Sequence, residues 1–416
     1  MLPLVVLAQA DNQKLLGSGL RRSYGDSGLN ADGALVDVSH LDRLIAFDAG
    51  TGVLAAEAGL SLEQLLAFAV PRGYFLPATP GTKFVTLGGA VANDVHGKNH
   101  TRRGTLGRYV RELGLLRSDG RSLRLSSTEN AELFGATIGG LGLTGLITYV
   151  ALELLPVRSS NLDIETIPFG NVREFFALTR DSLSNFEHTV AWVDCLATGA
   201  NLGRGIFTRA NHSEDGELRV VAKRGPAIPF DAPGFALNRL SMSAFNEVYY
   251  RAGQLNGGRA KASYNQFFYP LDAISHWNRI YGARGMYQYQ SVVPPQAAQD
   301  ATVEMFKAIS KAGQGSFLIV LKSFGSLKSP GLVSFPMEGT TLALDFPNKG
   351  ESTLKLLATL DQIVSEAGGR LYPAKDGRLP PKLFLDRQPD LAKFESHIDP
   401  GFSSSFWRRM QRANHE

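Results

Sequence analysis

Three glycine-rich segments constrain the fold of this chain more than any other feature of its sequence. They are GSGLRRSYGD at 17–26, PGTKFVTLGGAVANDVHGKN at 80–99 and GGLGLTG at 139–145. Because glycine has no Cβ, its backbone adopts conformations and close approaches that other residues cannot. The chain has 44 glycines in 416 residues, above the usual share of about 7%. The clusters predict tight turns and backbone that lies close to a ligand.

The length and composition predict a two-domain soluble protein. Chains of 416 residues usually divide into two domains, and the 44% apolar and 20% charged residues are typical of globular proteins. No apolar run approaches the roughly 18 residues of a membrane span. The apolar start at 1–10 lacks the basic region of a signal peptide. We therefore expect a cytoplasmic protein, with contact to a membrane surface left open.

Charge and cysteine content exclude several classes of function. The formal charge of +4 is scattered, so it suits an anionic cofactor or substrate but does not predict nucleic-acid binding. Cys195 is the only cysteine, which excludes disulfides and a thiolate metal cluster. We expect no metal site.

The pattern of apolar residues and turn signals divides the chain into three parts. Short strand-like runs alternate with glycine loops up to about residue 155, and a helix over 62–70 begins with a capping box of Ser61 and Gln64. Longer strands and helices follow, and a short tail carries helical signals. The predicted strands are 14–19, 33–38, 52–58, 145–155, 265–269 and 286–293; the later predicted helices are 303–312, 353–368, 392–396 and 405–412; a loop is predicted over 210–231.

The first glycine segment has the chemistry of a phosphate-binding loop. Small residues let backbone N–H groups approach phosphate oxygens, and Arg21 and Arg22 add positive charge. The segment matches neither a Walker A loop nor a Rossmann fingerprint. The structural alternative is a surface turn with a basic edge.

The second segment leaves room for a large flat ligand and adds two ionisable side chains. His96 and Lys98 flank Gly97, and an imidazole and an ammonium there can transfer a proton or stabilise an anion. The alternative is a tight turn with a structural histidine. The segment 139–145 is a third candidate close-approach loop, and an ordinary turn before a strand explains it equally well.

A lysine near the C-terminus completes the set of candidate groups. Lys375 follows a strand-like run, in the sequence Tyr372-Pro373-Ala374-Lys375-Asp376. Beside a flavin, a lysine stabilises the reduced ring. Taken alone, a single lysine is usually a solvated surface residue.

Taken together and in this order, these segments resemble one family, the decaprenylphosphoryl-β-D-ribose 2-oxidases of the vanillyl-alcohol-oxidase-type flavoproteins. The resemblance covers nearly the whole chain. Its specific motifs are RSYGD at 22–26, HGKN at 96–99, FYPLD at 268–272 with WNR at 277–279, QYQ at 288–290, DFP at 345–347 and YPAKD at 372–376.

The resemblance implies an α+β fold with two domains. An FAD-binding domain over 1–155 would be completed by the C-terminal segment 371–416, and a substrate domain with an antiparallel sheet would span 156–370. The implied FAD-binding residues are Gly19, Arg21, Arg22, Ser23, Tyr24, Gly81, Thr82, Thr86, Gly88, Gly89, Asn93, His96, Gly97, Gly142, Gly145 and Tyr372. The implied substrate-binding residues are Lys98, Tyr269, Gln288, Gln290 and Lys322, and the implied catalytic residues are Lys375, His96 and Tyr24.

The reaction implied by the resemblance is oxidation of a secondary alcohol on a sugar. The expected substrate is the 2-hydroxyl of a polyprenylphosphoryl pentose, in synthesis of a cell-envelope arabinose donor, and a separate NAD(P)H-dependent keto-reductase would act on the product. Two alternatives stay open: an aldonolactone or alditol oxidase of the same fold, and a non-catalytic flavin-binding or basic interaction protein.

Four departures from the family pattern carry expectations of their own. Arg22 stands where related oxidases carry the histidine that binds FAD covalently, so we expect non-covalent FAD. Ala343 replaces the cysteine of the family's active site, which should remove sensitivity to thiol-directed inhibitors. Thr341 stands where the family tends to have asparagine, in the sugar pocket. The chain also starts late relative to the family, so we expect an opening strand of the FAD domain to be absent.

Overall fold

The computed structural model describes residues 13–220, 225–234 and 236–412. The apolar start at 1–10 and the expected absence of an opening strand lie outside these residues. The described chain has the expected α+β fold, with helices packed on mainly antiparallel sheets.

The N-terminal part contains a parallel pair of strands and a five-stranded antiparallel sheet. Apolar residues of this sheet and of helix α1 form one buried core. The strands are β1 (Leu15–Ser18), β2 (Ala34–Asp37), β3 (Leu44–Asp48), β4 (Val53–Glu57), β5 (Tyr74–Phe75), β6 (Val110–Leu116), β7 (Ser122–Ser126), β8 (Leu146–Glu153) and β9 (Leu155–Pro156), with the order β3-β4-β8-β6-β7 in the sheet. The helices are α1 (Leu62–Ala69), α2 (Leu87–Ala92), α3 (His100–Arg103) and α4 (Ala131–Thr137).

The following part contains an eight-stranded sheet. Its order is β13-β10-β12-β11-β15-β16-β14-β17, and every pair in it is antiparallel. The strands are β10 (Asn161–Phe169), β11 (His188–Val193), β12 (Gly205–His212), β13 (Gly258–Ser263), β14 (Met286–Val293), β15 (Ile319–Phe324), β16 (Gly339–Pro347) and β17 (Arg370–Leu371). The helices, including those of the C-terminal segment, are α5 (Val172–Ser182), α6 (Arg239–Leu255), α7 (Tyr264–Phe268), α8 (Ala298–Ala312), α9 (Glu351–Glu366), α10 (Pro381–Leu385), α11 (Leu391–Glu395) and α12 (Ser405–Arg412).

One face of the eight-stranded sheet is covered and the other is left for the candidate site. Tyr289, Leu342 and Leu344 point to the covered face, where they are buried with apolar residues of α8 and α9. Because side chains alternate along a strand, their neighbours Gln288, Gln290 and others point to the opposite face.

Several predicted elements are confirmed, and one is wrong. Ser61 caps α1 through the predicted capping box with Gln64. The run 265–269, predicted as a strand, instead lies in helix α7. Ser263 accepts a hydrogen bond from the Gln266 backbone, and the Gln266 side chain bonds back to Ser263. This cap favours a helix, and α7 buries its aromatic residues on one side.

The C-terminal segment runs back against the first loop of the chain. The Leu15 amide donates to the Gly401 carbonyl (2.7 Å), and the Tyr24 amide donates to the Ala374 carbonyl (2.9 Å). Among the described residues, no helix is long and apolar enough to cross a bilayer. We propose that residues 371–416 complete the FAD domain, as the family resemblance implies.

Candidate active site

The register of three neighbouring strands gathers polar side chains on the open face of the eight-stranded sheet. Gln288 of β14 lies opposite Asp345 of β16, and Lys322 of β15 lies opposite Thr341. Directly opposed residues point to the same side of an antiparallel pair. Gln288 donates to Asp345 (2.6 Å), so the opposed amide and carboxylate are also hydrogen-bonded.

Gln290 connects this sheet face to the second glycine segment. Its amide nitrogen lies 3.1 Å from Nε2 of His96 and donates to Thr341 Oγ1 (3.2 Å). Since that amide nitrogen can only donate, His96 Nε2 must accept, which leaves the proton of a neutral imidazole on Nδ1. His96 Nδ1 is buried and has no hydrogen-bond partner among the described residues.

Aromatic rings enclose His96. Its ring lies 4.8 Å from that of Phe324 and 5.5 Å from that of Tyr372, measured between centroids, and Tyr372 stacks on Phe335 at 4.5 Å. Burial, followed by the positive charge of Lys322, holds the pKa of His96 well below its usual value. The imidazole is therefore neutral at physiological pH, as the tautomer requires.

Three lysines surround the same patch. Desolvation lowers the pKa of Lys98 and of Lys322 to about 7, and that of Lys375 to about 8. Lys98 and Lys375 lower the pKa of Lys322 further, while the carboxylate of Asp345 opposes the shift of Lys375. Closely spaced amines with lowered pKa values bind an anion well, because the anion restores the charge that desolvation disfavours.

The individual lysines have different contacts. The ammonium of Lys98 donates to the Phe267 carbonyl and lies 4.2 Å from the Phe267 ring centroid. Lys322 Nζ lies 5.7 Å from the ring of Phe324. Lys375 Nζ lies 4.7 Å from the ring of Tyr24, so the first loop and the C-terminal segment meet at the candidate catalytic lysine.

Asp345 belongs to the site, although the sequence analysis assigned it no role. It is buried, and desolvation raises its pKa to about 6, while Gln288 and Lys375 act in the opposite direction. The sequence placed it only in the DFP motif. Nothing in the local sequence shows that it shares a sheet face with Lys322, because that depends on the pairing of β14, β15 and β16.

The residues around the glycine segments fit FAD. A Cβ on Gly19 would overlap Oγ1 of Thr86, so the first loop packs directly on the residue that caps the N-terminus of α2. No atom of the described residues lies within 4 Å of the Cβ position of Gly81, which leaves open space beside its backbone. The unpaired His96 Nδ1 and Gln288 Oε1 offer a donor and an acceptor to a polar heterocycle. Tight glycine loops, open space and unpaired buried polar atoms are what such a cofactor needs.

Other residues of the second segment are held by contacts within the protein. Tyr372 donates its hydroxyl proton to the Asn93 carbonyl (3.1 Å), and Asn93 in turn donates to the Gly89 carbonyl (2.8 Å). A Cβ on Gly88 would lie 2.7 Å from the Cβ of Ala58, so this glycine permits α2 to pack closely on the end of β4. The hydroxyl of Thr82 accepts from the Phe84 amide.

Other predicted residues are exposed or are occupied by contacts within the protein. Arg21 pairs with Asp37 (3.6 Å), and Arg22 and Ser23 are exposed. Tyr269 is buried in the N-terminal core with its hydroxyl 2.6 Å from Thr79 Oγ1. A Cβ on Gly97 would also meet Thr79 (3.2 Å), and Gly142 and Gly145 have the positive φ angles of a tight loop beside Leu16 and Leu116. The ligand-binding roles of these residues remain predictions.

Comparison with known proteins agrees with this geometry. Residues 3–126 match the model of the FAD binding domain. The chain is 35% identical to decaprenylphosphoryl-beta-D-ribose oxidase of Mycolicibacterium smegmatis over 97% of this chain and 90% of that protein. It is 30% identical to an uncharacterized protein of Streptomyces coelicolor over 84% of this chain and all of that protein. It is 32% identical to L-gulonolactone oxidase 5 of Arabidopsis thaliana over 35% of this chain and 27% of that protein.

The glycine segments, the three lysines and the match to the ribose oxidase over nearly the whole chain all support one assignment. The chain belongs to the decaprenylphosphoryl-beta-D-ribose oxidase family and is an FAD-dependent oxidoreductase.

Proposed function

We propose that the protein oxidises the 2-hydroxyl of a polyprenylphosphoryl ribose to the 2-keto sugar. The observation that carries this proposal is the set of Lys98, Lys322 and Lys375 around a polar sheet face that contains Gln288 and Gln290. The amides suit the hydroxyl groups of a sugar, and the lysines suit its phosphate. The relative from M. smegmatis, whose name describes oxidation of decaprenylphosphoryl ribose, supports the same substrate class.

In this proposal the first two glycine segments and Tyr372 hold FAD, without a covalent bond. FAD supplies the two-electron acceptor for the hydride of the alcohol carbon. The protein has to position the sugar, exclude water and accept the proton of the hydroxyl group. The closed aromatic surroundings of His96, Phe324 and Tyr372 serve to exclude water.

Lys375 is the best candidate to accept the hydroxyl proton. With a pKa of about 8 it loses and regains a proton near neutral pH. His96 holds its only proton on Nδ1 and so acts as a donor to a ligand oxygen. Desolvation and the charge of Asp345 raise the pKa of Tyr24, so the side chain stays a neutral phenol at neutral pH and can donate a hydrogen bond but not accept the proton. The three candidates from the sequence therefore receive different roles.

The proposed product determines which reaction must follow. A 2-keto sugar becomes the 2-epimer when a hydride is delivered to the opposite face, so a separate NAD(P)H-dependent keto-reductase would act on it. This sequence would supply an arabinose donor for the cell envelope. A lipid-linked substrate would also bring a cytoplasmic protein to the membrane surface.

An aldonolactone or alditol oxidase is the alternative from the same fold. The match to L-gulonolactone oxidase 5 covers only 35% of this chain, whereas the ribose oxidase match covers 97%, which favours the lipid-linked sugar. A non-catalytic flavin-binding protein would have no need for three desolvated lysines beside a buried histidine whose Nδ1 has no partner among the described residues.

Anaerobic reduction of the bound flavin separates these functions. The purified holoenzyme would be mixed with a polyprenylphosphoryl ribose, the matching arabinose compound, a free aldonolactone and an alditol, and flavin absorbance followed without oxygen. We expect rapid bleaching with the lipid-linked ribose alone. Bleaching by the lactone or alditol instead would assign the alternative oxidase, and a stable yellow colour with every compound would assign the non-catalytic role.

A further inference from the structure

One buried carboxylate, that of Asp94, lies close to His96 and has no role in the proposed mechanism. Asp94 comes two residues after the end of helix α2 and two residues before His96, and its side chain is completely buried. Its backbone has a φ of 41°, in the left-handed region that residues other than glycine rarely adopt. Such a conformation persists only where the surrounding contacts fix it, and it is common at functional sites.

The Asp94 carboxylate accepts hydrogen bonds from two other segments of the chain. Its Oδ1 accepts from the Gly107 amide (2.8 Å), and its Oδ2 accepts from the hydroxyls of Ser334 (2.7 Å) and Ser329. The Ser329 hydroxyl also accepts from the Gly331 amide (2.8 Å), which fixes the turn between the two serines. Among the described residues no cationic side chain pairs with Asp94, so its carboxylate depends on these hydroxyl and amide donors.

Both segments form walls of the site around His96. Thr105, two residues before the amide that bonds to the carboxylate, pairs with His96 in an antiparallel β-bridge. The second of the two serines directly precedes Phe335, whose ring stacks on Tyr372 at 4.5 Å and lies 5.8 Å from the ring of His96. The Asp94 carboxylate therefore connects the chain that pairs with His96 to an aromatic ring that encloses it.

Three glycines allow the backbone to surround this cluster closely. A Cβ on Gly107 would lie 2.6 Å from Oδ1 of Asp94, and a Cβ on Gly139 would lie 2.5 Å from Oγ of Ser334. A Cβ on Gly331 would also overlap the Ser334 hydroxyl. The first residues of the third glycine segment thus pack on the carboxylate cluster, and packing this close leaves little room for displacement.

Stability alone does not account for a carboxylate at this place. Desolvation raises the pKa of the Asp94 carboxyl, and the hydrogen bonds from Ser329 and Ser334 oppose that shift. Apolar groups of the same shape can replace such hydrogen-bonded partners with little loss of stability. What the hydrogen bonds add is a fixed geometry between separate segments, and a displacement of about 1 Å at an active site can reduce a rate by roughly 100-fold.

We propose that Asp94 is a positioning residue of the active site, which holds the segments 105–107 and 329–335 in place around His96. It acts through the His96 imidazole and the Phe335 ring. Its effect on the rate of alcohol oxidation rests on the proposed function, in which His96 donates to a ligand oxygen. Its effect on the surroundings of the bound flavin does not depend on the identity of the substrate.

The test is the D94N variant, in which an amide NH₂ replaces one of the two accepting oxygens and the side chain keeps its size. We expect the FAD-loaded variant to show an altered visible circular dichroism of the flavin, because the segments around His96 shift. Anaerobic bleaching by a polyprenylphosphoryl ribose should be at least tenfold slower than in the unchanged protein.

The matched control is D194N. Asp194 is also buried, and it accepts from the Leu196 amide (3.1 Å) and from the side chain of Asn246 in α6 (2.8 Å), outside the two segments that Asp94 connects. D194N should lose stability but keep the flavin circular dichroism and the bleaching rate of the unchanged protein.

A second variant tests the same contacts from the other side. S329A/S334A removes both hydroxyl donors and leaves Asp94 in place, so it should alter the flavin circular dichroism and slow bleaching as D94N does. Adding D94N to it should slow bleaching less than threefold further, since both changes break the same hydrogen bonds. If D94N does not fold or does not bind FAD, S329A/S334A alone decides.

Two results would overturn the proposal. One is a flavin circular dichroism or a bleaching rate that stays unchanged in D94N and in S329A/S334A. The other is equal slowing in D94N and D194N, because lost stability would then explain both. A failure of the unchanged protein to bleach with the lipid-linked ribose counts against the proposed function alone, and the flavin circular dichroism then decides on Asp94.

Discussion

At the scale of single residues, the site is dominated by charged groups that are expensive to bury. Lys98, Lys322 and Lys375 are desolvated close to one another, and the carboxylate of Asp345 favours the charged form of Lys375. Such arrangements reduce stability and are typical of functional sites, where a ligand completes them. Two predictions follow from individual lysines of this set.

Replacing Lys375 with methionine should abolish substrate-driven bleaching while the protein stays yellow. The amine is the proposed proton acceptor, and loss of such a group lowers a rate by roughly 100- to 10,000-fold. Stopped-flow absorbance under anaerobic conditions measures the rate. K382M, an exposed lysine change in the same C-terminal segment, is the control and should react normally. An unchanged rate in K375M would remove Lys375 from the mechanism.

Replacing Lys322 with methionine should stabilise the protein most at low pH. The pKa of Lys322 falls from 10.5 in the unfolded chain to about 7 in the folded protein, so below pH 7 the folded state holds a desolvated charge. The penalty fades as the pH rises from 7 to 10.5, where the unfolded chain also loses its proton.

Urea unfolding of K322M at pH 6 and pH 10 measures this difference. We expect about 1–3 kcal/mol of added stability at pH 6 and little at pH 10. The control K355M removes an exposed lysine of α9 and should change stability by about 0.5 kcal/mol or less at either pH. A gain that does not depend on pH would show that the Lys322 amine is not desolvated.

At the scale of elements, the first loop is positioned by its packing on α2. The Cβ-free backbone of Gly19 lies against Thr86, the residue that caps α2 through the Gly89 amide. Gly81, by contrast, faces open space. The two glycines therefore serve different purposes, one in protein packing and the other in approach to a ligand.

This contrast predicts opposite outcomes for two alanine variants. G19A should lose about 1–3 kcal/mol of stability, because the new methyl group overlaps the Thr86 side chain. G81A should keep its stability but bind FAD more weakly, since the methyl group would occupy the space beside the cofactor. Thermal unfolding and flavin titration of the apoprotein measure the two effects. Full FAD affinity in G81A would exclude close contact at that position.

The elements also show how far sequence reasoning reached. The glycine segments, the Ser61 cap and Lys375 each belong to a short sequence pattern, so they could be identified from the sequence alone. The aromatic alternation of the run 265–269 is typical of a strand, so the strand prediction is wrong there. The capping box at Ser263 stabilises a helix instead. The position of Asp345 beside Gln288 depends on strand register and on packing between distant segments, which no local pattern encodes.

At the scale of the whole molecule, the C-terminal segment fastens the first loop. Arg409 of α12 makes a bidentate ion pair with Asp26 (2.9 Å for both bonds), directly after the RSYG sequence. A paired, forked contact of this kind positions both partners.

Replacing Arg409 with methionine should therefore weaken FAD binding by about tenfold without direct contact to the cofactor, since an unpaired, partly buried Asp26 costs over 1 kcal/mol. Flavin retention after gel filtration and titration of the apoprotein measure the loss. R412M, which removes an exposed arginine from the same helix, should bind FAD normally. Equal affinities in both variants would mean that the loop keeps its conformation without α12.

The hydrogen bond from the Tyr24 amide to the Ala374 carbonyl has a consequence for biosynthesis. During translation the first loop emerges early, while its partner is added only near the end of the chain. A product that ends before residue 374 cannot form this hydrogen bond, and it also lacks Lys375. We therefore expect the first loop to reach its final conformation only after the C-terminal segment has been synthesised.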